Sequence, residues 1–212
     1  MPGTRLPMFP LSAVLFPHAT IPLHVFEARY RTLTRDCLDG DRRFGVALIE
    51  RGSEVGGGDQ RSMVGTRGVI TRAAGLTDGR WLLEVRGEAR IAVAEWLPDD
   101  PYPLALVQES NPVADLSVSG AQGLLEQAAQ RVRRARALLS EHGEVPPLPP
   151  AVRLDGGGDA EVASWQVCAA APVSAYDAQR LLAAQGTTAR LRLLVELMED
   201  LELVLHRMLT EE

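Results

Sequence analysis

The chain contains no lysine, since all 22 of its basic residues are arginine. A phosphate-binding P-loop needs a lysine that reaches the β- and γ-phosphates, and a Schiff base or a Ser–Lys dyad needs a titratable amine. The composition therefore excludes all three chemistries. The net charge of −6 also argues against a nucleic-acid-binding protein, whose affinity rests on clustered cations.

Cysteines, long apolar runs and metal-ligand patterns are equally scarce. Cys37 and Cys168 lie far apart in apolar, helix-like contexts, so we expect both to be reduced and buried. No apolar run approaches the roughly 18 residues of a membrane span, and we expect no secretory signal. The four histidines show no metal-ligand spacing, and no nucleophile motif is present. We therefore expect a cytoplasmic protein without membrane association, cofactor, metal site or catalytic residue.

The first half of the chain has the pattern of short strands bent around a core. Residues 6–31 are apolar but carry four prolines, and proline cannot donate a hydrogen bond within a sheet. We therefore predict short strands separated by bulges and turns at Pro7, Pro10, Pro17 and Pro22. Further strand-like runs occupy residues 44–50, 63–75, 80–97 and 103–109. An Asp-Gly turn at 78–79 predicts a hairpin, and Gly87 fits a bulge within the last long run.

Helical spacing appears once in the first half and dominates the second. Residues 26–38 predict a helix because four apolar residues recur at spacings of 4, 3 and 4. They are Phe26, Tyr30, Leu33 and Cys37. The last helix carries a narrow apolar seam that fits either an intramolecular bundle or a homodimer. Its seam residues are Leu191, Leu194, Met198, Leu201, Leu205 and Met208. We therefore predict an α+β protein with a β-rich subdomain at 1–112 and a helical bundle at 113–212.

Three sequence blocks in a fixed order carry a family resemblance. The first is LPMFPL, LFP and IPLHVFEARYR, and the second is VGTRGVI followed by DGRWLLEVRGEARIAV, with Gly87 and Arg90. The third is SAYDAQRLLAAQGTTARLRLLVELME. Together they resemble the N-terminal substrate-binding domain of the Lon protease family over residues 5–210. The resemblance implies a PUA-like β pseudo-barrel followed by a helical subdomain.

The resemblance also implies a function. Lon N-terminal domains recognise unfolded or tagged polypeptides, so we expect a non-catalytic binding module that serves a protease or ATPase partner in trans. The chain ends at Glu212, where the coiled coil, ATPase and protease of the family would follow, which predicts a stand-alone form. An RNA-binding module is the alternative, because PUA-like barrels include RNA readers. A hydrolase with an unrecognised site is the third hypothesis.

Aromatic residues make up 5% of the chain, so those near turns stand out as candidate polypeptide contacts. Trp81 follows the hairpin turn, while Trp96 and Tyr102 lie in the run WLPDDPYP, where we expect exposed side chains. Packing between the two halves explains these positions equally well. Arg90 is the fourth candidate because its guanidinium matches a carboxylate, although we favour a role in bracing neighbouring carbonyl groups.

The residues of the family motifs predict structure more than contact. Glu27, Arg29 and Tyr30 form either a peptide-facing edge or a brace between the helix start and the barrel, and we favour the brace. The motif residues are Pro10, Pro17, Pro22, Phe26, Glu27, Arg29, Tyr30, Gly87 and Arg90. We expect a bound polypeptide to use apolar contacts and a strand edge, in a groove between the two halves.

Overall fold

The chain forms two compact units, Met1–Asn111 and Pro112–Glu212. The structure is a computed structural model that describes residues 3–52, 59–110, 118–141, 143, 145–146 and 159–210. Within these residues the first unit holds a six-stranded sheet and one helix, and the second is helical. The predicted α+β class is therefore confirmed, whereas the division into two domains at residue 112 stays a prediction.

The elements are numbered in chain order. The first unit contains β1 (Thr4–Leu11), β2 (Thr20–Val25), α1 (Ala28–Asp39), β3 (Arg43–Arg51), β4 (Gln60–Gly75), β5 (Trp81–Leu97) and β6 (Leu104–Glu109). The second contains α2 (Val118–Glu141), α3 (Ala160–Ala170), α4 (Ala175–Ala183) and α5 (Thr187–Thr210). In the described part of the chain, none of the helices is both long and apolar enough to cross a bilayer.

Five strands of the first unit close into a barrel. β1 pairs in parallel with β3, and the circuit then runs through antiparallel pairs from β3 to β4, β5, β6 and back to β1. The core inside it is apolar, with Phe44 and Val85 fully buried. Each of these five strands therefore has two neighbours in the circuit, although not along its whole length. The sixth strand, β2, pairs with β5 alone among the described residues.

The long strand β5 exchanges one neighbour for another at Gly87. Residues 81–86 pair with β2, and residues 91–97 pair with β6 on the same side. Between them, the Gly87 N–H donates to the Ala19 carbonyl and the Gly87 carbonyl accepts from His18 N–H. A Cβ on Gly87 would lie 2.2 Å from the Phe16 carbonyl oxygen. The ladder to β4 also shifts register between Gly87 and Ala89, which confirms the predicted bulge.

The prediction that prolines break the opening segment into short strands was wrong in part. Pro7 and Pro10 lie within the eight-residue strand β1, and Pro22 lies within β2. Residues 4–7 of β1 pair with β6, and residues 8–11 pair with β3. Among the described strands, each half is therefore hydrogen-bonded to a neighbour on one side only, so a proline nitrogen can face the side that has no neighbour. Pro17 is buried in the connection that meets Gly87.

The second unit is a helical bundle in which α2 and α5 pack together along their apolar faces. Its core includes the fully buried residues Val132, Leu191, Leu194 and Met198. Leu203, Val204 and Met208 on α5 are more than half exposed. Self-association through α5 stays a prediction. Arg190 is fully buried, stacks 3.3 Å from the Trp165 ring centroid and donates to Ser164 Oγ at 2.8 Å.

The neighbour exchange in β5 makes Gly87 sensitive to any side chain. We expect Gly87→Ala to lower the free energy of unfolding by about 1–3 kcal/mol, because its methyl group would overlap the Phe16 backbone. Urea denaturation followed by circular dichroism measures this loss. Gly75→Ala is the matched control, since its Cβ would meet the Trp81 ring at an ordinary 3.5 Å. Equal losses for the two variants would contradict the proposed close approach.

Candidate functional site

The outer edge of β2 carries backbone groups that no described strand pairs with. The N–H and carbonyl groups of Gly87 point toward the β2 side of β5. Because backbone groups in a strand repeat their direction every two residues, those of Val85 and Leu83 also point toward β2. The Glu84 carbonyl points the other way and accepts from the Thr71 hydroxyl of β4 at 3.0 Å. In the antiparallel ladder, hydrogen-bonded and non-hydrogen-bonded pairs alternate. The N–H and carbonyl groups of β2 residues 20, 22 and 24, where present, therefore point to the outer edge, away from β5.

Pro22 agrees with this assignment. It pairs with Glu84, and a proline can sit in a sheet where its nitrogen faces an unpaired edge. The free edge therefore offers N–H and carbonyl groups at Thr20 and His24 and a carbonyl alone at Pro22. The side chains of all three are exposed, whereas Leu23 and Val25 face the core.

Two large apolar side chains lie exposed beside this edge. Phe26 follows β2 directly and is 53% exposed, and its ring lies 6.1 Å from the His24 ring in a T-shaped arrangement. Leu82 is 47% exposed and is the cross-strand neighbour of His24 on β5. We call Thr20, Pro22, His24, Phe26 and Leu82 the β2 edge surface. It combines unpaired backbone groups with apolar area, which is the combination that binds extended chains.

A cavity of about 140 Å³ opens next to the same edge. Its walls come from β1, β2 and the start of α1. The lining residues are Phe9, Leu11, Pro22, Leu23, His24, Val25, Phe26, Glu27 and Tyr30. The rings of Phe9 and Tyr30 stack within it, with centroids 4.0 Å apart and planes inclined by 12°.

Charged residues surround the hydroxyl end of Tyr30. Burial raises the pKa of Tyr30 to about 12, an effect that nearby Arg29 opposes and Glu27 reinforces. Arg29 Nε donates to the Glu27 carboxylate at 3.1 Å, and Arg61 Nε donates to Asp59 at 2.6 Å. The cavity therefore has apolar walls and a neighbouring set of paired charges. In the part of the chain that the structure describes, no cluster of histidine, cysteine and carboxylate groups could hold a metal ion.

Comparison with known proteins identifies the family. The model of the ATP-dependent protease La (LON) substrate-binding domain matches residues 5–200. The chain belongs to this Lon substrate-binding domain family. The fold agrees with it: a Lon N-terminal domain protein from Xanthomonas campestris is 29% identical, with a TM-score of 0.65 over 91% of this chain and 98% of that chain. The N-terminal domain of a Mycobacterium avium complex Lon protease shares the fold at 14% identity, with a TM-score of 0.64 over 93% and 99%.

Curated relatives match over part of their length. A Lon protease of Desulfosudis oleivorans is 37% identical over 103 residues, which are 46% of this chain and 12% of that protein. A LON peptidase N-terminal domain and RING finger protein of Schizosaccharomyces pombe is 28% identical over 116 residues, 49% of this chain and 24% of that protein. This chain therefore spans at most about a quarter of these relatives.

The Lon-type motif at the start of α1 differs from its predicted arrangement. The helix begins at Ala28, so Phe26 precedes it and is exposed instead of joining the buried face of Tyr30, Leu33 and Cys37. Glu27 occupies the N-cap position, but its side chain makes no capping bond. Its carboxylate accepts from Arg29 instead.

The aromatic residues proposed as polypeptide contacts are less exposed than expected. Tyr102 is 8% exposed, and its hydroxyl donates to Asp36 at 2.8 Å, so the expectation of an exposed side chain was wrong there. Trp81 is half-buried against the barrel core. Trp96 is half-buried beneath the Arg61 guanidinium, which lies 4.9 Å from its ring centroid. A contact role for the two Trp residues stays a prediction.

Arg90 lies inside the barrel wall. It is 3% exposed, and its Nη2 donates to Ser110 Oγ at 3.3 Å, while its carbonyl accepts from Ser110 N–H. Burial lowers the pKa of its guanidinium. This arrangement favours the bracing role over a carboxylate site.

Sequence reasoning did not select His24 or Leu82. Neither residue type is distinctive, and their meeting depends on the register between β2 and β5, which are far apart along the chain. Pro22 was the one available signal, because a proline inside a strand-like run marks an edge.

Tyr30 is buried in the core, whereas nearby Phe26 is exposed, so we expect the two residues to differ in their contribution to stability. We expect Tyr30→Ala to cost about 3–5 kcal/mol of unfolding free energy, since the ring is 3% exposed and stacked on Phe9. Phe26→Ala should change stability by less than about 0.5 kcal/mol because the ring is largely exposed. Urea titrations of both variants measure the difference. Comparable losses would show that Phe26 belongs to the core.

Proposed function

We propose that this protein binds extended polypeptide segments, which add as a further strand to the free edge of β2. The observation that carries the proposal is that β2 pairs on one side only among the described strands, beside the exposed Phe26 and Leu82. Membership of the Lon substrate-binding domain family supports a protein-substrate-binding role. Strand addition requires no fixed side-chain sequence, since the bonds run between backbones.

Two interactions would stabilise such a complex. Thr20 and His24 can each donate and accept a backbone hydrogen bond, and Pro22 can accept one. Each bond contributes about 0.5–1.5 kcal/mol net. Apolar side chains of the segment would cover Phe26 and Leu82, at about 25 cal/mol for each Å² removed from water. An unfolded chain exposes both kinds of group, whereas a folded protein hides most of them.

We propose that binding is the whole activity of this chain. The Lon substrate-binding domain is a recognition module, and the absence of lysine removes Ser–Lys and P-loop chemistry. Burial raises the pKa of both thiols, Cys37 and Cys168, to about 12, so neither supplies a reactive thiolate. The two free cysteines fit the reducing cytoplasm. A protease or ATPase acting in trans would be the recipient of the bound polypeptide.

RNA binding receives less support from the charges of the barrel unit. Several of the arginines described there are engaged by carboxylates, including Arg43 by Glu88 at 2.7 Å and Arg61 by Asp59 and Asp99 at 2.6 Å. Phosphate contacts would have to compete with these pairs. A hydrolase has no motif in the sequence to support it.

The outward N–H of His24 provides a direct test. We expect His24→Pro to weaken binding of a permanently unfolded, carboxymethylated apolar-rich polypeptide by about 2- to 10-fold, because one ladder donor is lost. Pro22→Thr adds a donor at the same edge and should tighten binding by a similar factor. Fluorescence anisotropy titration of the full chain measures both affinities.

His24→Ala is the matched control, since it removes the imidazole and keeps the N–H. Circular dichroism verifies that every variant is folded. No saturable binding at high micromolar concentration, or equal effects of His24→Pro and His24→Ala, would contradict strand addition at β2.

A further inference from the structure

We propose that the cavity beside β2 receives one bulky apolar side chain of the bound segment and so selects what the protein binds. This inference rests on the proposed strand addition and adds a specificity site to it. The cavity opens at the edge to which the segment would pair, and its lining includes Pro22, Leu23 and His24 of β2 itself.

The alternation of side chains decides which residue of the segment reaches the cavity. Pro22 and His24 direct their side chains to the exposed face, while Leu23 and Val25 face inward against the core. In a paired strand, the residue opposite Leu23 faces inward as well. Every second residue of the segment therefore shares the inward face of Leu23 and Val25, which line the cavity together with core residues of β1 and α1. Its neighbours share the face that carries His24 and Leu82.

The size and walls of the cavity fit one aromatic or branched aliphatic group. Its volume is about 140 Å³, and apolar protein cavities of about 150 Å³ hold a benzene molecule. Phe9, Leu11 and Val25 supply apolar wall, and the stacked Tyr30 ring supplies a flat one. A small side chain such as alanine would leave most of this space unfilled.

The charges near the cavity oppose an acidic guest. Glu27 belongs to the lining, and its carboxylate is already paired with Arg29 at 3.1 Å. Asp59 is likewise paired with Arg61. A guest carboxylate would lie near the like charge of Glu27 and would lose its hydration. Both arginines of these two pairs are already engaged by carboxylates, so they offset this cost poorly. Selection should therefore favour apolar over acidic side chains at this position.

A guest series in one peptide tests the inference. The probe is a nine-residue peptide in which uncharged Thr and Gln residues alternate around a central guest of Phe, Leu, Ala or Asp. With the full chain, we expect Phe and Leu peptides to bind about 10- to 100-fold tighter than the Ala peptide, the range given by burying one such side chain. The Asp peptide should show no saturable binding. N-methyl groups on alternate backbone nitrogens can fix which edge of the peptide pairs with β2. In such a peptide, moving Phe by one residue should turn its side chain to the opposite face and abolish its advantage over Ala.

Two further measurements separate this inference from the proposed function. If the peptide adds as a strand, only every second N–H faces β2. N-methylation at successive peptide positions should therefore weaken binding at every second position. A period of two without any guest preference would overturn the cavity site and leave strand addition standing, whereas no period would overturn both. On the protein, Leu23→Phe should narrow the cavity and reduce the Phe preference. Ile21→Phe is the matched control, since Ile21 faces inward on the same strand outside the lining.

Discussion

The barrel unit depends on a close backbone contact at Gly87. There β5 leaves β2 and begins to pair with β6, and the Phe16–Pro17 backbone occupies the space that a side chain would need. The contact lets one long strand serve two neighbours on the same side. The pairing with β6 closes the barrel, and the pairing with β2 holds that strand where its outer edge has no partner among the described strands. The fold and the candidate site are therefore consequences of one constraint.

Edge strands invite uncontrolled pairing, and Pro22 limits it here. The proline removes one N–H donor from the middle of the edge. Two copies of β2 paired edge to edge would therefore lack hydrogen bonds where their prolines meet. An unfolded segment with its own N–H groups can still donate to the Pro22 carbonyl. The residue thus disfavours self-association more than it disfavours a flexible guest, which suits a surface that must stay available for polypeptides.

Much of this fold could be predicted from local patterns. The hairpin at Asp78–Gly79, the bulge near Gly87 and the helix around Tyr30 all follow from short-range rules. The burial of Tyr102 could not be predicted, because it depends on Asp36, which is distant along the chain. The exposure of Phe26 was missed because apolar spacing does not show where a helix begins. The site itself needed the register of β2 against β5.

Amide hydrogen exchange in β2, measured with and without an unfolded polypeptide, tests the central claim most directly. The Thr20 and His24 amides face the open edge and should exchange fast in the free protein. On binding, we expect them to become protected, while the Leu23 and Val25 amides, which face β5, stay protected throughout. Saturable binding with unchanged exchange at Thr20 and His24 would contradict strand addition at this edge.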